Sequence, residues 1–247
     1  MSDLIPPQTA DSTAKMKAIL VLVTALGFAA GSTFTPGFGG FAPDQFPYPV
    51  ADLPLTPAGF AFSIWGLIFL ALIASGLFGL LKRDTDPAWD RTRWPLIAVQ
   101  TLGATWVALA VWSPPVATVA IWIMLVLALV AAGRSVKSND TWWLQVPLML
   151  LAGWLTAASW VGLTTLAVGY IEGLSQTTGS WIGLVLALIT AIACLTWLRS
   201  PAYAAAVIWA LIGVIAANAG GGWMFLTGVV AGAAAIAGVS LRQVQRG

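Results

Sequence analysis

Almost every side chain suited to chemistry lies outside the apolar runs of this chain. There is no histidine, which removes His-ligated haem, His-containing zinc sites and any Ser-His or Cys-His nucleophile pair. The single cysteine, Cys194, lies within an apolar run. It can form no intramolecular disulfide and reads as a small buried hydrophobe. Every lysine falls in a segment between the runs, so none can form a Schiff base with retinal inside a bundle, and a rhodopsin is excluded. General acid–base chemistry would have to come from Asp44, Asp52, Glu172 or Tyr48, all outside the runs. Their plainer reading is solvated loop residues, so no catalytic residue, metal site or required cofactor is assigned. Ion-coupled transport normally keeps ionisable groups in the spans, and the apolar runs here hold no Asp, Glu, Lys, Arg or His.

What remains is aromatic. The chain has 14 tryptophans. Trp89, Trp94, Trp112, Trp142, Trp143, Trp181, Trp197 and Trp223 fall at or near the ends of apolar runs, where aromatic belts form. Trp65, Trp106, Trp122, Trp154, Trp160 and Trp209 fall deeper, and a buried indole N–H wants an acceptor. At about 1.5 Å per residue, Trp65 lies about 12 Å from the outer end of its span, Trp106 and Trp160 about 9 Å, and Trp154 about 18 Å. Phe62, Trp65 and Phe69 follow i, i+3, i+7 spacing and are expected on one helix face. Aromatic faces from three helices would then meet in the outer half of a bundle, where stacking suits a flat hydrophobic ligand. Ordinary helix packing by large side chains is the competing reading.

These residues need a membrane-spanning frame. The chain of 247 residues is 59% hydrophobic and 8% charged, with mean hydropathy +0.90. A soluble domain carries roughly 25% charged residues. The expected fold is therefore all-α, a polytopic membrane helical bundle. Its eight spans are read at about 18–34, 57–81, 94–112, 116–132, 142–166, 181–198, 202–218 and 222–241. The last two, joined through Asn218-Ala219-Gly220-Gly221-Gly222, could instead form a shallow re-entrant hairpin. The first also resembles a signal peptide, with a basic flank and small residues at 29–32. Against cleavage, the run stays apolar past that cluster.

All 11 Lys and Arg residues fall between alternate pairs of spans: Lys15 and Lys17; Lys82, Arg83, Arg91 and Arg93; Arg134 and Lys137; Arg199; Arg242 and Arg246. Basic residues stay cytoplasmic during insertion. Both termini are thus expected in the cytoplasm, in a multi-pass protein of a bacterial inner membrane. The net charge of +2 is an orientation signal and not a nucleic-acid stripe, so the expected surroundings are lipid bilayer. The longest outer segment, 33–56, holds Pro36, Pro43, Pro47, Pro49 and Pro54 with Phe34, Phe38, Phe41, Phe46 and Tyr48. Its aromatics suit a lid better than a bare connector. Trp112-Ser113-Pro114-Pro115 is a tight outer turn. GxxxG patterns at Gly27–Gly31 and Gly228–Gly232 mark close helix approach. The partner could be the same chain or another copy in a homo-oligomer.

The run Leu55-Thr56-Pro57-Ala58-Gly59-Phe60-Ala61-Phe62-Ser63-Ile64-Trp65-Gly66-Leu67-Ile68-Phe69, Gln100 followed by Trp106, and Pro147 followed by Trp154, Ala158 and Ser159 resemble the second, third and fifth helices of the TspO/MBR family. That family comprises the tryptophan-rich sensory proteins, with the translocator protein or peripheral benzodiazepine receptor. The resemblance covers roughly residues 16–167. It implies a five-helix domain over 1–167, with a three-helix extension over 168–247, as in the longer members. It also implies a pocket opening toward the loop between helices one and two. Family ligands are porphyrins and other tetrapyrroles, and sterols in some members. Family roles are sensing, regulation of tetrapyrrole metabolism and transport. Two departures stand out. Gly103 and Gly162 occupy positions where the family usually carries Asn, and the spacing from Phe60 to Trp65 is one residue shorter than in the short members.

The ligand-binding set expected on these grounds is Phe60, Phe62, Trp65, Phe69, Gln100, Trp106, Pro147, Trp154 and Trp160. The expected function is a membrane receptor or sensor for a flat hydrophobic ligand. The alternatives are a facilitative transporter of that ligand and a structural subunit of a membrane complex. Porphyrin or haem enters as ligand. With no histidine, a haem would be held by Tyr48, a methionine, water or stacking alone.

Overall fold

The computed structural model describes residues 7–34 and 40–245. Pro36, Phe38 and Arg246 lie outside the described residues, as does the side chain of Phe34. The described residues form eight α-helices and no strand: α1 Pro7–Phe34, α2 Ile64–Lys82, α3 Pro87–Trp112, α4 Pro114–Ser135, α5 Val146–Tyr170, α6 Gln176–Leu198, α7 Pro201–Ala217 and α8 Trp223–Val244. Seven helical stretches are long and apolar enough to cross a membrane, and α7 is a shorter apolar helix. The protein is a polytopic membrane helical bundle. At 17 residues, α7 is about 25 Å long.

The helices overrun the apolar runs at their basic ends. α1 takes in Asp11, Lys15 and Lys17, and α3 takes in Asp90, Arg91 and Arg93. Lys and Arg are good helix formers, and Asp86 caps α3 by accepting from the N–H groups of Ala88 at 2.7 Å and Trp89 at 3.3 Å. The second helix starts later than its apolar run. Pro57 has no N–H, and the Ala58 N–H donates to the Gly213 carbonyl of α7 at 3.0 Å. The chain therefore stays extended there, makes a 3-10 turn over Gly59–Ser63, and enters α2 at Ile64. A π-turn over Thr141–Gln145 precedes α5. Pro147 explains it, because its ring displaces the carbonyl four residues back and widens the turn. Ser113 alone separates α3 from α4.

Helix contacts make two rings. One runs α1, α2, α5, α4, α3, and the other α5, α6, α8, α7, so α5 belongs to both. Small residues allow the close crossings. A Cβ added at Gly31 would collide with the Ala104 carbonyl of α3, and one at Gly153 would lie 2.5 Å from the Tyr203 carbonyl of α7. Gly228 and Gly232 pack beneath Trp181 and Leu188 of α6, whereas Gly27 faces open space. Three of the four GxxxG glycines thus meet helices of the same chain.

The basic clusters gather at one end. Lys17 pairs with Asp90, Arg83 with Asp140 at 2.8 Å, and Arg134 donates to the Arg91 carbonyl at 3.0 Å. Arg93, 2% exposed, donates to the carbonyls of Ala14, Asp84 and Arg83 and to the Asp90 carboxylate. It ties α1 and the α2–α3 turn to α3. The aromatic segment 40–58 closes the opposite end.

Candidate functional site: an aromatic cavity beneath the 40–58 segment

Six hydrogen bonds pin the 40–58 segment over the bundle, one of them from Gln45 Nε2 to the Val111 carbonyl of α3 at 3.2 Å. The N–H groups of Tyr48, Asp52, Leu55 and Ala58 donate to the Gly169 carbonyl (3.0 Å), Gln176 Oε1 (3.0 Å), Ser180 Oγ (3.2 Å) and the Gly213 carbonyl (3.0 Å). Asn218 Nδ2 donates to the Pro54 carbonyl at 2.8 Å. Leu53 and Leu55 are buried below it. The segment is thus fixed to α3, α5, α6 and α7, and it roofs a cavity of about 560 Å³.

The roof contributes residues 50–57 to the lining, together with Gly40 and Phe41. Phe62 enters from the 3-10 turn, Trp106 from α3, and Thr118 and Ile121 from α4. α5 supplies Trp154, Ala157, Ala158, Trp160, Val161, Gly162 and Thr165. α6 adds Leu184 and Ala187, and α7 adds Ala210, Leu211, Val214 and Ala217, with Asn218 at its end. Both helix rings therefore build one site. The last three helices were not expected there. Ala206, Ala210, Gly213 and Ala217, a helical stripe of small residues on α7, was the sequence signal available for that contact.

Of the residues singled out in the sequence, Phe62, Trp106, Trp154 and Trp160 line the cavity. The others sit elsewhere. Trp65 stacks on Phe69 with ring centres 5.3 Å apart, and both meet Phe28 of α1 edge-on. Trp65 also touches Trp154 edge-on at 6.2 Å, so it stands behind the lining. Phe62 precedes α2 on the tighter 3-10 turn. Its ring meets Trp154 edge-on at 5.9 Å, the same indole that Trp65 touches. Phe60 packs on Trp209 at 5.8 Å. Gln100 is fully buried between α1 and α3, where its Oε1 accepts from the Thr24 hydroxyl at 2.6 Å. Pro147 is buried in the first turn of α5, about 10 Å along the helix from Trp154.

The deep indoles divide by hydrogen bonding. Trp106 donates to the Ala117 carbonyl at 2.9 Å, Trp160 to Thr190 Oγ1 at 3.1 Å and Trp209 to the Ala61 carbonyl at 2.8 Å. The Trp122 and Trp154 N–H groups, both buried, have no partner among the described residues. Trp122 packs edge-on against Trp160, but only Trp154 borders the cavity. An orphaned buried donor costs about 1–3 kcal/mol, and Trp154 carries one in the wall of the cavity. Gly103 and Gly162 behave differently. A Cβ at Gly103 would run into the Phe28 ring, whereas one at Gly162 would find only Thr118 Oγ1, at 4.0 Å. Gly162 enlarges the cavity.

No curated protein and no solved structure matches this sequence. The family model described as TSPO-like protein matches residues 46–242, from the roof segment to the last turns of α8. Most of the chain lies inside that match, so this multi-pass membrane protein belongs to the TSPO-like protein family.

Proposed function

We propose that the protein is a membrane receptor for a flat, hydrophobic molecule, tetrapyrrole-like or sterol-like, held in the cavity beneath the 40–58 segment. The observation that carries this reading is a cavity of about 560 Å³ whose large walls are Phe62, Trp106, Trp154 and Trp160. The volume lies within the usual range for small-molecule sites, about 300–1,000 Å³. Among the described residues the lining contains no Tyr, Cys, Met or His, so a tetrapyrrole would be held chiefly by its ring. The pinned roof favours a receptor over a carrier, which would have to release that roof on every cycle. Segregation of the basic residues supports cytoplasmic termini and an outward-facing cavity.

The test is an absorbance titration of purified protein with free-base protoporphyrin IX and haem, and a competition with a sterol. Free base and haem should bind about equally. Trp106→Phe and Trp154→Phe should each weaken binding about two- to tenfold, the range expected from about 0.5–1.5 kcal/mol for an aromatic contact. Trp65→Phe, one layer back, should act less strongly, and the belt variant Trp143→Phe not at all. Parent-like binding by both lining variants, with folding intact, would remove the site.

A further inference from the structure

The mouth of the cavity carries one sign of charge, and its polar atoms are mostly spent as donors. The outer segments hold Asp44, Asp52 and Glu172 and no Lys or Arg. Asp52 borders the cavity. No salt bridge reaches its carboxylate among the described residues, and residues 35–39 contain no basic side chain. Three of the other polar lining groups, Thr118, Thr165 and Asn218, point their donors into the protein. The Thr118 and Thr165 hydroxyls donate to the carbonyls of Pro114 and Val161. Asn218 Nδ2 donates to the carbonyls of Pro54 and Val214 at 2.8 Å each. These groups therefore offer a ligand their acceptor oxygens. Apolar walls around a single-signed mouth focus its field.

From this, and resting on the cavity being the ligand site, we infer that it selects flat hydrophobic molecules whose polar edge is cationic or hydrogen-bond donating. Asp52 receives that edge, and molecules with carboxylates at that edge are disfavoured. An ammonium at the mouth gains from the carboxylate and from nearby aromatic faces. A carboxylate there meets like charge and no free donor among Asp52, Thr118, Thr165 and Asn218.

Three probes with one ring separate charge from shape: protoporphyrin IX, its dimethyl ester, and its bis-amide with ethylenediamine, which ends in two ammonium groups. Binding is measured on protein in nanodiscs of uncharged lipid, against empty discs. The diamine should bind about tenfold more tightly than the diacid, the lower end of what a one-signed cleft does to association. The ester should fall between them. Asp52→Asn should shrink that spread and Asp52→Lys should reverse its order. Both substitutions leave the backbone N–H bond to Gln176 in place. Trp154→Phe should lower all three affinities and so places the probes in the cavity. Saturable binding without this charge order, or an order that survives Asp52→Lys, overturns the charge selection alone. Failure of all three probes to bind beyond empty discs overturns the receptor reading, and the charge selection with it.

Discussion

At the scale of single residues, the same residue type does opposite things in different places. Gly103 is a packing glycine, because the Phe28 ring occupies the space of its missing Cβ. Gly162 is a cavity glycine, because its missing Cβ leaves space that nothing fills. Gly103→Ala should therefore destabilise the α1–α3 contact by about 1–3 kcal/mol, read as a lower unfolding temperature in detergent. Gly162→Leu should leave unfolding almost unchanged and cut porphyrin binding at least severalfold. Equal binding by the Gly162→Leu protein would count against a ligand in this cavity. Residue type alone does not separate these two glycines. The tryptophans were more legible: depth along a span sets the deep indoles apart from the belts, since belt residues follow the water boundary. Which deep indole borders empty space was not legible. That depends on facing helices, so Trp65 and Trp154, both deep, differ by one layer of packing.

At the scale of elements, the number and order of helices could be read from hydropathy, and their ends could not. Hydropathy marks the lipid boundary, while helices continue into water wherever capping and propensity permit, as α1 and α3 do. The start of α2 was hidden for another reason. The Ala58 N–H bonds to Gly213, more than 150 residues away in sequence, and local spacing carries no trace of such a contact. The turn between α4 and α5 holds a testable ion pair. The Arg83 guanidinium, bonded to Asp140, lowers that carboxyl below the usual carboxylate range; the Trp89 N–H helps, against partial desolvation. A carboxyl lowered on folding stabilises the protein above its unfolded pKa, and that stability is lost as pH falls through the lower, folded value. The unfolding-temperature gap between the parent and Asp140→Asn should be full at neutral pH and close below about pH 4. A gap that persists in acid would show that Asp140 acts as a neutral hydrogen-bond acceptor only. Arg93→Met should cost about 3 kcal/mol at any of these pH values, because it strips a buried cation from four acceptors.

At the scale of the whole molecule, charge and cavity lie at opposite ends. Two helix rings share α5, and the site opens where they meet beneath the roof segment. A resemblance confined to the first five helices could not reveal that α6 and α7 complete the wall. The family match over residues 46–242 agrees in extent with a site that draws on both rings. Orientation follows from the ends. Every described Lys and Arg lies at the end where Lys17, Arg83, Arg93 and Arg134 make their bonds, and the roofed end has carboxylates alone. We propose that the basic segments stay in the cytoplasm, which would put the roof and cavity mouth outside. Reporter fusions ending at Asp44, Ser113 or Glu172 should read as external, and fusions ending at Asp84, Lys137 or Arg199 as cytoplasmic. Adding lysines beside Glu172 should weaken its external signal before that of Ser113. A cytoplasmic signal at all three outer positions would invert the protein, and the cavity would then sample the cytoplasm instead.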